Sequence, residues 1–221
     1  MNIVKRLMKA RELSSLIFLI ALFFVVGSIN PAFLTPATIA ACFNTSVVYT
    51  LVAVGVAFTL FIGEIDVSVG SNLGLVAAVV GTMLRDGQPL IAAVVVGIAI
   101  GAAIGLINAW GVAVMKAPSL IFTLGVNGIL RGIIYVYTNG AWVENLPKSF
   151  KDFSAVTGVG DLTVYYCAVI ALVVIIHMVL TKTRRGRWFA AVGDNANGAT
   201  LVGIPTLRTK ILAYVLCGVF A

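Results

Sequence analysis

Leu90-Ile-Ala-Ala-Val-Val-Val-Gly-Ile-Ala-Ile-Gly-Ala-Ala-Ile-Gly-Leu-Ile-Asn-Ala-Trp-Gly-Val-Ala-Val-Met115 runs without one charged side chain. A helix rises about 1.5 Å per residue, so about 20 apolar residues cross the ~30 Å hydrocarbon layer of a membrane. This stretch exceeds that length, and similar runs lie on both sides of it. Spans are expected near 13–29, 38–62, 72–84, 89–115, 118–138 and 162–181, with a seventh opening at Ile211. The whole chain is 61% hydrophobic and 10% charged, where a soluble domain carries about 25% charged residues. The fold class is therefore all-α, a polytopic transmembrane helix bundle, with 1–221 read as a single domain. Gly97, Gly101 and Gly105 recur at four-residue steps in the fourth span. In lipid, small residues that let backbones approach drive helix pairing, so this stripe marks a tightly packed central helix.

The formal net charge of +7 is sorted by loop. Lys5, Arg6, Lys9 and Arg11 precede the first span, Lys116 sits between the fourth and fifth, and Lys182, Arg184, Arg185, Arg187, Arg208 and Lys210 follow the sixth. A cytoplasmic N-terminus puts all of these on one side, facing only Arg85, Lys148 and Lys151 on the other. Short-loop Lys/Arg bias sets orientation, so the N-terminus is expected inside. The basic balance is a topology signal and gives no reason to expect nucleic acid as a partner; membrane lipid is the expected surrounding. The first span, with its basic start and no small-residue cleavage site, reads as an uncleaved anchor. Cys42, Cys167 and Cys217 fall within spans without pair spacing and read as buried thiols. The sequence stops at Ala221, inside the seventh span, which points to an incomplete C-terminus.

Polar residues inside the spans carry the functional signal. Gly63-Glu-Ile-Asp-Val-Ser-Val-Gly-Ser71 lies between long apolar runs. A carboxylate at a helix centre costs ~2.5–3.5 kcal/mol even on the lenient insertion scale. Two readings stand side by side. The helix breaks here next to a solute pathway, its freed backbone groups buried in protein, or the segment is a turn in which Asp66, Ser68 or Ser71 caps the next helix. Asn108, Thr123, Asn127 and Arg131 are further polar groups in spans four and five, each suited to bonding a neighbouring helix, with Arg131 placed to snorkel outward. His177 has no companion ligands for a metal, and nothing in the chain asks for a cofactor. The exterior segment 139–161 reads as an interfacial loop or as a docking surface, with one amphipathic turn at Lys148-Ser-Phe-Lys-Asp-Phe.

The basic loop 182–210 contains a second signal. Asp194 or Asn195 suits a helix N-cap, a short helix is expected from about Ala196 to Val202, Gly203 suits the left-handed C-terminal position, and Pro205 stops continuation. Two helical turns gain little stability alone. The loop is either a plain re-entry turn or a helix held in a partner's groove.

At this point the residues resemble a known family. Ile65-Asp-Val-Ser-Val-Gly-Ser71 is similar to the Ile-Asp-Leu-Ser-Val-Gly-Ser segment of the permease subunits of simple-sugar ABC importers. Pro118-Ser-Leu-Ile-Phe-Thr-Leu-Gly125 with Arg131-Gly132, Tyr137-Thr-Asn-Gly140, and Gly186-Arg187, Gly193, Asn195 and Gly203-Ile204 match the same family from about residue 32 onward. Ala141-Trp-Val-Glu-Asn-Leu-Pro147 and Val192-Gly-Asp-Asn-Ala-Asn-Gly-Ala199 are most similar to the autoinducer-2 import permeases, with the rhamnose type next. Glu64 stands where glycine is frequent, and Asn197 replaces the acidic residue that opens the ATPase-facing pattern ending at Gly203.

The resemblance implies a multi-pass bacterial inner-membrane permease working with a second permease subunit, homo- or heterodimeric, with cytoplasmic ABC ATPase subunits and with a periplasmic solute-binding protein. It implies that 182–210 is the cytoplasmic coupling loop, with Asp194, Asn195, Asn197, Ala199 and Gly203 facing the ATPase. The solute path is expected at Asp66, Ser68, Asn108 and Thr123, a set suited to a small sugar or sugar-like solute such as autoinducer-2, rhamnose or ribose. No catalytic residues are expected, and the chain lacks the Gly-x-x-x-x-Gly-Lys-[Ser/Thr] segment that would cradle a nucleotide. The alternatives are an ion-coupled secondary transporter using Asp66 and Glu64, or an inactive permease remnant.

Overall fold

A computed structural model describes residues 11–221; Lys5, Arg6 and Lys9 lie outside the described residues. Helix α1 spans Arg11–Ile29 and is followed by a 3-10 turn, Pro31–Leu34, and α2, Pro36–Phe61. Next come α3, Val69–Arg85, and α4, Leu90–Ala109, which widens into a π turn at Trp110–Val114. Helix α5 covers Ser119–Thr138 and a short α6 covers Lys148–Ser154. A two-stranded antiparallel hairpin, β1 Thr157–Val159 and β2 Leu162–Thr163, leads into α7, Val164–Lys182. The basic loop folds as α8, Arg184–Asp194, and α9, Ala196–Leu201, before α10, Thr206–Phe220.

Among the described residues, Pro36–Phe61, Leu90–Val114, Ser119–Thr138 and Val164–Lys182 are long and apolar enough to cross a membrane, and Ser15–Ile29 and Val69–Arg85 are shorter apolar helices. Their outward faces carry Phe18, Phe24, Tyr49, Ile91, Ile129 and Val174 in the open. Four helices of that length and such an apolar outer surface mark a multi-pass membrane protein.

Helices α4 and α10 form the centre. Gly101 lies against the backbone of Gly218 and Val219, and Gly105 against that of Tyr214 and Val215. A Cβ at either glycine would collide with a carbonyl oxygen, which a flexible side chain could not relieve. Gly97, one turn earlier, instead faces Val76 and Val80 of α3, whose methyl groups would stand 3.2 and 3.1 Å from a Cβ added there. Gly55 of α2 faces the Cys217 carbonyl from the opposite side of α10, where an added Cβ would come within 2.9 Å of that oxygen. The glycine stripe read from the sequence thus packs two neighbours against α4.

Three boundaries depart from expectation. Helix α10 starts at Thr206, not near Ile211, because the Pro205 carbonyl accepts from both the amide and the hydroxyl of Thr209 at 3.0 Å. Arg208 and Lys210 are therefore helical. Residues 184–194 are a full helix, although their composition marked only a basic loop. Gly186, Phe189 and Val192 form its buried face, while Arg184, Arg185 and Arg187 point elsewhere. A hairpin occupies 157–163, where Asn44 of α2 accepts from the Thr163 amide at 2.8 Å and donates to the Asp161 carbonyl at 3.0 Å.

Gly101→Val or Gly105→Val should lower stability by about 1–3 kcal/mol or block assembly, since overpacking at a backbone contact has no soft neighbour to move. Gly125→Ala, with nothing within 4 Å of its would-be Cβ, serves as the control. The check is thermal unfolding of the purified protein in detergent; equal midpoints for Gly101→Val and wild type would contradict the close approach.

Candidate functional site: a polar knot at a helix break

Helix α2 ends where Ile62 and Gly63 turn, and Gly63 takes φ +75°, a conformation that glycine adopts freely. The next helical residue is Val69. Between them the backbone is held from outside. The Ile65 amide donates to Ser119 Oγ at 3.4 Å, and the Val67 amide to Thr123 Oγ1 at 3.1 Å, so the first turn of α5 supplies partners the helix would have supplied. Thr123 Oγ1 in turn donates to the Ser119 carbonyl at 2.8 Å.

Asp66 is the centre of the knot and is only 7% exposed. Its Oδ1 accepts from the Ser68 amide at 2.9 Å and from the Ser68 hydroxyl at 2.6 Å. Its Oδ2 accepts from Asn108 Nδ2 at 3.0 Å, and the same Nδ2 donates to Ser68 Oγ at 2.8 Å. A carboxylate only accepts, which fixes the Asn108 amide with its nitrogen toward Asp66. Asn108 Oδ1 then faces away, buried and without a hydrogen-bond partner among the described residues. Burying a carboxylate is tolerable because these three donors replace its water.

The four residues expected to line a path, Asp66, Ser68, Asn108 and Thr123, are therefore brought together, all buried, at the break between α2 and α3. Of the expected caps, none of Asp66, Ser68 and Ser71 makes a side-chain cap bond to α3. The helix breaks, and Asp66 anchors the start of the next helix through the Ser68 amide; Ser68 itself makes no cap bond. Ser71 donates to Asn127 Oδ1, joining α3 to α5. Sequence reasoning missed Asn72, whose Nδ2 donates to the Gly218 carbonyl at 2.9 Å while its Oδ1 is unpartnered among the described residues. The signal for it is an amide directly after Ser71, at the head of the next apolar run. Arg131 sits apart, on the wall of a cavity of about 590 Å³ with Tyr135, Thr138 and Trp142.

The basic loop packs directly on this break. Phe189 and Val192 of α8 and Ala199 of α9 enter one apolar cluster with Phe58, Ile62, Val112 and Tyr214. Asn195 is the N-cap of α9, accepting from the Gly198 amide at 2.9 Å, while Asp194 ends α8. Gly203 takes φ +81° and closes the helix, with the Ile204 amide on the Ala199 carbonyl at 3.0 Å. Asp194, Asn195 and Asn197 are exposed, and Ala199 is the buried root. Beside them stand Leu201, 89% exposed, and Val202, 77% exposed, which the sequence reading had not singled out.

Residues 38–221 match the family described as branched-chain amino acid transport system / permease component. The chain belongs to that family. Among its curated relatives, the chain is 38% identical over 218 residues to the autoinducer 2 import system permease protein LsrC of Enterobacter sp. strain 638, covering 99% of this chain and 63% of the relative. The protein of the same name from Klebsiella pneumoniae is also 38% identical over the same shares. That of Salmonella typhi is 34% identical over 97% of this chain and 62% of the relative. The chain thus spans a little under two thirds of the length of these relatives. No solved structure matches it.

Asn108→Leu should remove the donor to Asp66 Oδ2 and cost about 1–3 kcal/mol. Asn108→Asp should cost more, because it sets a second carboxylate against the first. Thermal midpoints of the detergent-solubilised protein check the order; an Asn108→Asp variant as stable as wild type would contradict the Asn108 contact with Asp66.

Proposed function

We propose that the chain is the membrane-spanning permease subunit of an ATP-driven importer for a small sugar or sugar-like solute, with autoinducer-2 as the first solute to test. Its membrane is the bacterial inner membrane, with the N-terminus and the 182–210 loop in the cytoplasm. Its partners are a second permease subunit, cytoplasmic ABC ATPases and a periplasmic solute-binding protein. The names of the relatives support the substrate class, and the loop charges support the orientation.

The observation that carries the reading is the loop's construction. Helix α9 is capped, closed by a left-handed glycine, and rooted through Ala199, yet it turns Leu201 and Val202 outward beside Asp194, Asn195 and Asn197. A two-turn helix that presents apolar side chains from a charged loop gains from a groove that covers them. Motion of the ATPase would move α9, and through its root the break between α2 and α3.

In this reading the knot forms part of the solute path. When the break opens, Asn108 Oδ1 and Asn72 Oδ1 offer unpaired acceptors to the hydroxyls of a neutral polyol, and Asp66 and Thr123 add further polar contacts. In the same structure Glu64 is paired with Lys210, and Asp66 accepts from Ser68 and Asn108.

Two experiments test this. Leu201→Asp should cut ATP-driven solute uptake and co-purification of the ATPase by about tenfold or more, as for a central apolar anchor, with insertion unchanged; undiminished co-purification would refute the docking role. A cysteine at Thr183 should react with a membrane-impermeant maleimide in inside-out vesicles and not in intact cells; the reverse pattern would refute the orientation.

A further inference from the structure

One contact joins the loop to the knot across the fold. Lys210 Nζ, in the first turns of α10, donates to Glu64 Oε1 at 2.6 Å. The side chains are 23% and 17% exposed, so water screens the pair little. At the Glu64 end, the backbone is tied to the last turn of α2, because the Glu64 amide donates to the Thr59 carbonyl at 3.0 Å and the Gly63 amide to the Leu60 carbonyl at 3.0 Å. Two peptide units further on stands Asp66. At the Lys210 end, α10 is tied to α9 by the Thr200–Thr206 hydroxyl contact at 3.2 Å. A second contact runs in parallel, since Gly193 of α8 lies on the Phe61 carbonyl, where any Cβ would collide with backbone.

We propose that the Glu64–Lys210 pair is a strut that carries displacement of α9 and the base of α10 into the break and so into the Asp66 knot, with Gly193 on Phe61 as its fulcrum. This rests on the importer reading and adds to it the specific route of transmission. Three features set the pair apart from an ordinary surface ion pair. It is half-buried, it bridges the two segments that must move together, and it forms one wall of a cavity of about 420 Å³ with Ser119, Asn197 and Thr200. That cavity gives Lys210 room to shift with α10 while it stays on Glu64. Both are positioning residues: the path atoms are those of Asp66, Ser68 and Asn108.

The test uses the full-length permease assembled with its ATPase and binding protein in proteoliposomes, and reads solute imported per ATP hydrolysed. Glu64→Lys and Lys210→Glu should each lower that ratio about tenfold, through the maximal rate rather than through the solute KM. The double exchange Glu64→Lys with Lys210→Glu should restore most of it. Should a reversal fail to insert, Glu64→Gln and Lys210→Met carry the test. For a pair acting as one unit, the two single losses and the double loss are equal. Reversals with the wild-type ratio, an exchange as poor as its parents, or additive losses would overturn the strut. A wild-type complex without ATP-driven uptake would instead remove the importer reading itself, and the strut with it.

Discussion

The close approach of α4 and α10 is the constraint on which everything else depends. In lipid no apolar burial draws helices together, so their association rests on backbone contact at small residues. Gly101 and Gly105 on one side and Gly218 on the other allow it. This contact places Asn108, one turn beyond Gly105, beside the break, and it places Asn72 against Gly218. The packing thus sets the chemistry available at the knot.

The knot resolves a local conflict. An apolar bundle cannot hold a loose carboxylate or a stretch of unpaired backbone. Here Ser68, Asn108, Ser119 and Thr123 supply the missing partners, and Gly63 supplies the turn. The result is a non-helical segment that depends on hydrogen bonds from three helices.

The basic loop is joined to the same place. Its buried face, Phe189, Val192 and Ala199, lies in the cluster that surrounds the end of α2. Its exposed face, Leu201 and Val202, lies in the open. α9 therefore has one rooted side and one uncovered apolar edge.

Much was legible in the residues themselves. The spans follow from length and hydropathy, the stripe in α4 from its four-residue steps, the break from Gly63 with two carboxylates, and α9 from Asn195, Gly203 and Pro205, because each is a local pattern. The 184–194 helix was obscured by its arginines, since only Phe189 and Val192 at helical spacing betray a buried face. Pairings across the chain were not legible at all. Nothing in sequence order sets Asn108 on Asp66, Asn72 on Gly218 or Lys210 on Glu64. Local periodicity fixed which segments are helices and where they stop. Only the tertiary packing decided which polar atoms meet, because that depends on how closely α4, α10 and α2 approach, and the glycines permit that distance without naming the partner.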